Sequence, residues 1–289
     1  MQIHNIFVVG SGLMGSGIAQ VFAQAGMTVI LSDTNREALQ KAQKNIAWSV
    51  GKLVEKGRLK EPRDTILERI QSAGDLKKAE NADLVVEAVF EDLNLKQDIF
   101  RRLDEICKPD TYLASNTSSM PITELGAVTR RPERVLGLHF FSPVPMMRAV
   151  EVVRGVSTSE ETMLMGAAVV RELGKAPIRV ESDLPGFLLN RINLVSYVEA
   201  IKLLEQGVAT AEDIDKGGRL AFGRPMGPFE TGDVVGLDVS YNALKSIYQE
   251  SREDRYYPPQ LLRRKVRAGH LGKKSGQGWY RYDENGQRL

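Results

Sequence analysis

The chain has 289 residues, which at roughly 150 residues per domain points to two domains with a substantial buried core. With 42% apolar and 26% charged residues it has the make-up of an ordinary globular protein, which excludes disordered, collagen-like and disulfide-rich classes. The 39 Lys and Arg stand against 37 Asp and Glu, a net charge of +2; no overall basic field exists for nucleic acid or a membrane surface, and any bound anion must be held locally.

In chain order, Ile6 to Val9 reads as a buried strand, followed by a glycine-rich turn and an amphipathic helix over Ile18 to Ala25. Thr28 to Leu31 is a second strand, with Asp33 just past its end. Thr34-Asn-Arg-Glu37 matches a capping box, and Leu39, Ala42, Ile46, Val50 and Leu53 mark one face of a long helix ending near Gly57. A second helical piece, Asp64 to Ile70, follows Pro62, so residues 35–70 form a helical hairpin with Ser49, Lys52, Lys56, Arg58 and Lys60 near its far end. Further strands are expected at Leu84 to Val89, Tyr112 to Ala114, Val135 to Leu138, Val150 to Val153 and Ile178 to Val180, with a helix at Leu93 to Ile106. Strands alternating with helical patterns predict a parallel sheet covered by helices, a Rossmann-like, doubly wound α/β domain.

The breaker cluster Glu181-Ser-Asp-Leu-Pro-Gly186 sets a boundary, giving domains over 1–184 and 185–289. Beyond it Leu188, Ile192, Val195, Val198, Ile201 and Leu204 outline a long helix, Thr210 to Asp213 caps another, and Val234 to Tyr248 and Pro259 to Ala268 continue the run. The second domain is therefore mainly α. Its basic cluster, Arg263 to Arg267 with Lys273 and Lys274, reads as a solvated face. The single cysteine, Cys107, excludes an internal disulfide or a Cys-rich metal site. With no leader ahead of the first strand and no apolar run near the roughly 20 residues of a membrane span, the expected home is the cytoplasm.

Gly10-Ser11-Gly12-Leu13-Met14-Gly15 places G-x-G-x-x-G between a strand and a helix, where a dinucleotide fingerprint belongs. Gly10 permits the turn, Gly12 lets a pyrophosphate approach the backbone, and Gly15 lets helix pack on strand. Asp33 is placed to accept hydrogen bonds from the adenosine ribose. A 2′-phosphate about 4 Å from that carboxylate would meet about 4 kcal/mol of repulsion at an effective dielectric of 20, so NAD is expected over NADP, with Arg36 nearby to soften the preference.

Of the three histidines, His4 precedes the first strand and His270 lies in the basic C-terminal stretch. His139 follows the strand Val135 to Leu138, at the sheet edge where ligands of open α/β folds bind; a satisfied core histidine is the other reading. Asn116, Thr117, Ser118 and Ser119 follow the strand at Tyr112 and offer an amide and hydroxyls at the same edge, or a turn capping the next helix. Glu151 interrupts the apolar run Ala149-Val-Glu-Val-Val153 and needs a partner if buried: a histidine, a hydroxyl, or solvent at an edge strand.

Six blocks in order resemble the L-3-hydroxyacyl-CoA dehydrogenase family, in particular its short-chain, 3-hydroxybutyryl-CoA type, over essentially the whole chain. They are Gly10 to Gln20, Ala114 to Ser119, Gly137-Leu-His-Phe-Phe-Ser-Pro-Val-Pro145, Pro185-Gly-Phe-Leu-Leu-Asn-Arg191, Pro225 to Phe229 and Gly272 to Tyr280. The resemblance implies reversible, NAD-dependent oxidation of a 3-hydroxyacyl-CoA, with His139 as base, Glu151 as its orienting carboxylate, and Ser118 and Asn190 on the reacting part of the substrate. It aligns Glu91, Lys96, Asn116, Ser118, Ser142 and Lys274 with cofactor contacts, Ser49 and Lys56 with coenzyme A contacts, and implies a homodimer. Ser142 departs from the family's usual Phe-Phe-Asn-Pro, a shorter group at that contact. Asn190 opens the second domain, so an interdomain active site is expected. Two other readings remain: a dehydrogenase of a free hydroxy acid, and a non-catalytic NAD-binding structural or sensory protein.

Overall fold

In the computed structural model, which describes residues 3–289, the aliphatic runs form strands β1 (Asn5–Val9), β2 (Thr28–Ser32), β3 (Ile70–Ala73), β4 (Leu84–Glu87), β5 (Tyr112–Ser115), β6 (Val135–Phe140), β7 (Ala149–Val153) and β8 (Ala176–Val180). They make one sheet in the order β3-β2-β1-β4-β5-β6-β7-β8. Every pairing is parallel except β6 with β7. The all-parallel expectation fails there because residues 141–148 contain no helix, and a parallel return needs a crossover of a dozen or more residues.

β1 and β4 lead to opposite halves of the sheet, so a crevice opens between their carboxyl ends, the usual ligand position in such folds. Helices α1 (Leu13–Gln24), α2 (Arg36–Glu55), α3 (Arg63–Glu68), α4 (Leu93–Ile106), α5 (Ile122–Gly126) and α6 (Glu160–Glu172) flank it. α1 begins directly after Gly12, earlier than its apolar periodicity suggests. Gly15 hides that first turn from a periodicity count because it packs on the strand: a Cβ there would lie 1.8 Å from the Gly10 carbonyl oxygen.

Leu39, Ala42, Ile46 and Val50 bury the expected face of α2 into the same core as Phe22, Val29 and Ile66. Two local readings need correction. The cap of α2 is Asn35, not Thr34: its side-chain carbonyl accepts from Glu37 N and Ala38 N, covering two orphan donors at once. The second helical piece stops at Glu68, and Ile70 opens β3. β3 is a half-exposed edge strand with little β-branched content, so no apolar run announces it.

The chain divides into two compact units, one ending at Leu184 and one spanning Pro185–Leu289. The second unit holds α7 (Leu189–Glu205), α8 (Ala211–Phe222), α9 (Pro228–Val235), α10 (Leu237–Ser251) and α11 (Gln260–Arg267). Thr210 caps α8 as expected, accepting from Asp213 N. The segment Val234 to Tyr248 is not continuous helix, because Gly236 at φ 107° separates α9 from α10. The C-terminal Gly-Trp-Tyr segment is held by two buried aspartates: Asp233 accepts from Trp279 N, Tyr280 N and Tyr282 OH, and Asp215 from Tyr280 OH. The basic cluster is only partly solvated, since Lys265 stacks over Trp279 and Arg263 over Tyr257. Among the described residues no helix is long and apolar enough to cross a membrane.

Candidate active site

Because β1, β2, β4, β5 and β6 run parallel, the residues just past their carboxyl ends gather along one edge of the sheet. At β1 this edge carries the fingerprint. Gly10 sits at φ 98°, and a Cβ there would lie 2.6 Å from the Ala88 carbonyl oxygen, so only glycine fits between β1 and the end of β4. A Cβ at Gly12, by contrast, would meet no other part of the chain within 4 Å, and no side chain caps α1. Open space above uncapped amide groups is what a pyrophosphate requires.

At β2, Asp33 Oδ2 accepts from Ser11 N at 2.9 Å and Ser11 Oγ at 2.8 Å, and Oδ1 accepts from Asn35 N at 2.9 Å. Burial works to raise the Asp33 carboxyl, but these hydrogen bonds outweigh it and hold the group below the usual carboxylate range. Asp33 lines a groove with Arg36, Leu39, Gln43 and Ser72. A fixed anion beside a groove suits a ribose and its base, so the residues present fit a dinucleotide.

The candidate chemical centre is built on β6. His139 lies inside this strand, one residue before its end, and is 3% exposed. The antiparallel register sets it directly opposite Glu151 of β7, and such cross-strand neighbours share a face of the sheet. The pair meets at 2.6 Å between His139 Nδ1 and Glu151 Oε2, with Glu151 0% exposed. Of the readings open to Glu151, the histidine partner is the one realised. With Nδ1–H donating to the carboxylate, the neutral ring keeps its lone pair on Nε2, and Nε2 lies 3.1 Å from Ser118 Oγ. Phe141 packs against the ring at a centroid distance of 4.6 Å.

Ser118 stands in the loop after β5, and two groups set that loop. Asn116 is buried, and its side-chain oxygen accepts from Phe140 N at 2.9 Å, tying the loop to the end of β6. Glu91, in the loop after β4, accepts from Ser118 N at 2.7 Å and from Thr117 Oγ1 at 2.8 Å. Lys96, on α4, is 1% exposed and reaches Glu87 at 2.7 Å and Glu91 at 3.4 Å. Glu87 went unmarked in the sequence although it interrupts Leu84-Val-Val-Glu87 just as Glu151 interrupts its own run. Ser11, Glu87 and Ser115, whose hydroxyl donates to Glu87 Oε2 at 2.6 Å, are polar residues of this region that sequence reasoning did not single out.

The other expected residues lie on separate elements. Ser142 is exposed in the loop between β6 and β7. Ser49 is half-buried in the last turns of α2, and Lys56 is exposed at its C-cap. In the second unit, Asn190 is half-buried in the first turn of α7, and Lys274 pairs with Asp238 at 2.6 Å.

The family model of the 3-hydroxyacyl-CoA dehydrogenase NAD binding domain matches residues 5–184, and that of the 3-hydroxyacyl-CoA dehydrogenase C-terminal domain matches residues 186–282. The chain is 45% identical over 285 residues to a probable 3-hydroxybutyryl-CoA dehydrogenase of Bacillus subtilis, covering 98% of this chain and 99% of that one. It is 39% identical over 288 residues to the mitochondrial hydroxyacyl-coenzyme A dehydrogenase of Sus scrofa, covering 97% and 91%. Among solved structures, (S)-3-hydroxybutyryl-CoA dehydrogenase from Ralstonia eutropha superimposes with a TM-score of 0.92 at 39% identity, covering 98% of this chain and 100% of that one. Fingerprint, sheet order and both halves of the chain thus agree, and the chain belongs to the 3-hydroxyacyl-CoA dehydrogenase family.

Proposed function

We propose that the chain oxidises L-3-hydroxyacyl-CoA, with 3-hydroxybutyryl-CoA as the favoured substrate, to the 3-ketoacyl-CoA, using NAD and running in either direction. The observation that carries this reading is the line Glu151–His139–Ser118, with hydrogen bonds of 2.6 and 3.1 Å on the two nitrogens of one buried imidazole. Bound NAD supplies the acceptor for the hydride that leaves C3.

The chain's own residues handle the proton. The Nε2 lone pair of His139 takes the proton of the 3-hydroxyl as the C3–O bond becomes a carbonyl. Ser118 holds the same oxygen, and Glu151 keeps Nδ1 protonated and stabilises the imidazolium that forms. In reverse, the imidazolium returns its proton to the forming alcohol. By family resemblance Asn190 takes the thioester carbonyl and Ser49 and Lys56 take coenzyme A. Glu91, Asn116, Ser142 and Lys274 serve the cofactor by the same alignment, and Lys96, aligned with them, pairs with Glu91. The fingerprint residues Gly10 to Gly15 take the pyrophosphate and Asp33 the adenosine ribose.

A cytoplasmic homodimer completes the reading. In the second unit the apolar side chains of Ile192, Leu220, Phe222 and Val235 are each 50% exposed or more, a surface a second copy would cover.

The test is NADH oxidation by acetoacetyl-CoA against free acetoacetate. Turnover with the thioester and little with the free acid is expected. A preference for the free acid would select the hydroxy-acid reading, and NADH binding without turnover of either would select the non-catalytic one. A series of 3-ketoacyl-CoA chain lengths ranks the acyl preference, and sizing in solution checks the dimer.

A further inference from the structure

We propose that the buried Glu87–Lys96 pair is a positioning device that aims Ser118 at His139, and that Lys96 acts through Glu91 rather than as a direct cofactor ligand. The proposal rests on the functional reading above. An ammonium has three protons to donate. Those of Lys96 face three acceptors of this chain: Glu87 Oε1 at 2.7 Å, the Val89 carbonyl at 3.2 Å and Glu91 Oε2 at 3.4 Å. At 1% exposure the group has no donor left to offer a ligand.

Glu87, 0% exposed, is engaged on both oxygens. Oε1 accepts from Lys96 and from Val89 N at 2.7 Å, and Oε2 accepts from Ser115 Oγ at 2.6 Å. Two routes then lead from Glu87 to the loop that carries Ser118. One passes through Lys96 to Glu91, which receives Ser118 N and Thr117 Oγ1. The other passes through Ser115 Oγ, which accepts from Thr117 N at 3.1 Å. Glu87 is bonded to neither Ser118 nor His139, yet both routes end on the backbone and side chain of the loop at Thr117 and Ser118, whose Ser118 hydroxyl lies 3.1 Å from His139 Nε2. A buried ion pair is a weak device for stability, since apolar or neutral replacements of both partners often cost nothing. Positioning is the use that explains its place here.

The experiment compares the parent with Glu87→Gln, Lys96→Met and the double variant in the full chain. Melting temperature should fall in Lys96→Met, which strands a buried carboxylate, and return toward the parent's in the double variant, where no unpaired buried charge remains. If the pair positions, kcat with acetoacetyl-CoA stays about ten- to a hundredfold low in the double variant, with the NADH dissociation constant and KM little changed, because a displaced catalytic group costs the chemical step. A double variant that regains stability and turnover together overturns the proposal. So does Glu87→Gln, near-isosteric and expected to fold, if it turns over at the parental rate.

The imidazole nitrogen resonances of His139, one of three histidines, report the Ser118 contact without cofactor or substrate. They should shift in Glu87→Gln and in the double variant, and unchanged resonances refute the proposal whatever the substrate proves to be. A parent inactive on acetoacetyl-CoA would instead sink the functional reading.

Discussion

Replacing Glu151 by Gln changes one oxygen to an amide nitrogen at a site where carboxylate and imidazole are both buried and 2.6 Å apart. When His139 takes a proton, the new imidazolium faces a carboxylate. With charge centres about 4 Å apart and an effective dielectric of 20, that attraction is about 4 kcal/mol. The amide oxygen keeps only a neutral hydrogen bond, about 1 kcal/mol. The difference, about 3 kcal/mol, is felt in the transition state far more than in the ground state, where the ring is neutral; it corresponds to a rate loss on the order of 10². If the amide presents its NH2 group to Nδ1 instead, the tautomer reverses, Nε2 carries the proton, and the loss grows toward 10⁴. The assay is NAD reduction by 3-hydroxybutyryl-CoA at saturating substrate, the direction in which His139 takes up the proton, with NADH binding and melting temperature measured alongside. A Glu151→Gln enzyme within about threefold of the parental kcat, folded and binding NADH, would refute the role of the carboxylate.

His139→Gln should spare NADH binding and lower kcat by roughly 10²- to 10⁴-fold, the usual weight of a general acid-base group; near-parental turnover would remove the base assignment. Asp33 is held ionised, its carboxyl below the usual range, so NADH affinity is expected to persist as pH falls past the ordinary carboxylate value near 4 and to fade only below it. Ser11→Ala deletes one of the hydrogen bonds that depress it and should move that fade to higher pH, read by NADH fluorescence titration. Asp104 is buried, bonded to Arg130 and Arg131, and likewise held below the usual range although burial alone would raise it. Its contribution to stability is present above the unfolded carboxylate value and lost as pH falls through the depressed folded one. Asp104→Asn should cost about 3 kcal/mol in urea unfolding at neutral pH, since it strands the buried Arg131.

What the sequence made legible were the features coded by local pattern. The glycine fingerprint, the run Val135 to Leu138, the apolar stripe of α2 and the cap at Thr210 each announce themselves within a few residues. β3 did not, because a half-exposed edge strand with a Gln-Ser centre has no run to detect. The Thr34 cap failed because two capping residues stand side by side, and only the geometry of the turn selects Asn35. Gly236 split a helix that its periodicity had joined, since a positive φ is invisible to hydrophobic spacing. Glu87 is the more instructive miss. Its signal, a carboxylate inside an apolar run, was read at Glu151 but not here, because Glu151 had a histidine to explain it and the partner of Glu87 lies on a helix nine residues on.

The reversal of β7 bears most directly on chemistry. In an all-parallel sheet, neighbouring strands present their carboxyl ends to the same edge, and a residue near the end of one strand faces a residue near the end of the next. Antiparallel pairing instead brings the middle of β7 alongside the end of β6, so Glu151, with strand on either side of it, meets His139 at the ligand-facing edge. At 0% exposure the carboxylate is not solvated in place of the imidazole. Its charge therefore bears on Nδ1. Ser118 arrives from the parallel half of the sheet, on the loop after β5, and meets the opposite nitrogen. The two pairings that β6 makes, parallel with β5 and antiparallel with β7, are thus what gives one ring two different neighbours, a hydroxyl from the loop after β5 on one nitrogen and a carboxylate from the middle of β7 on the other.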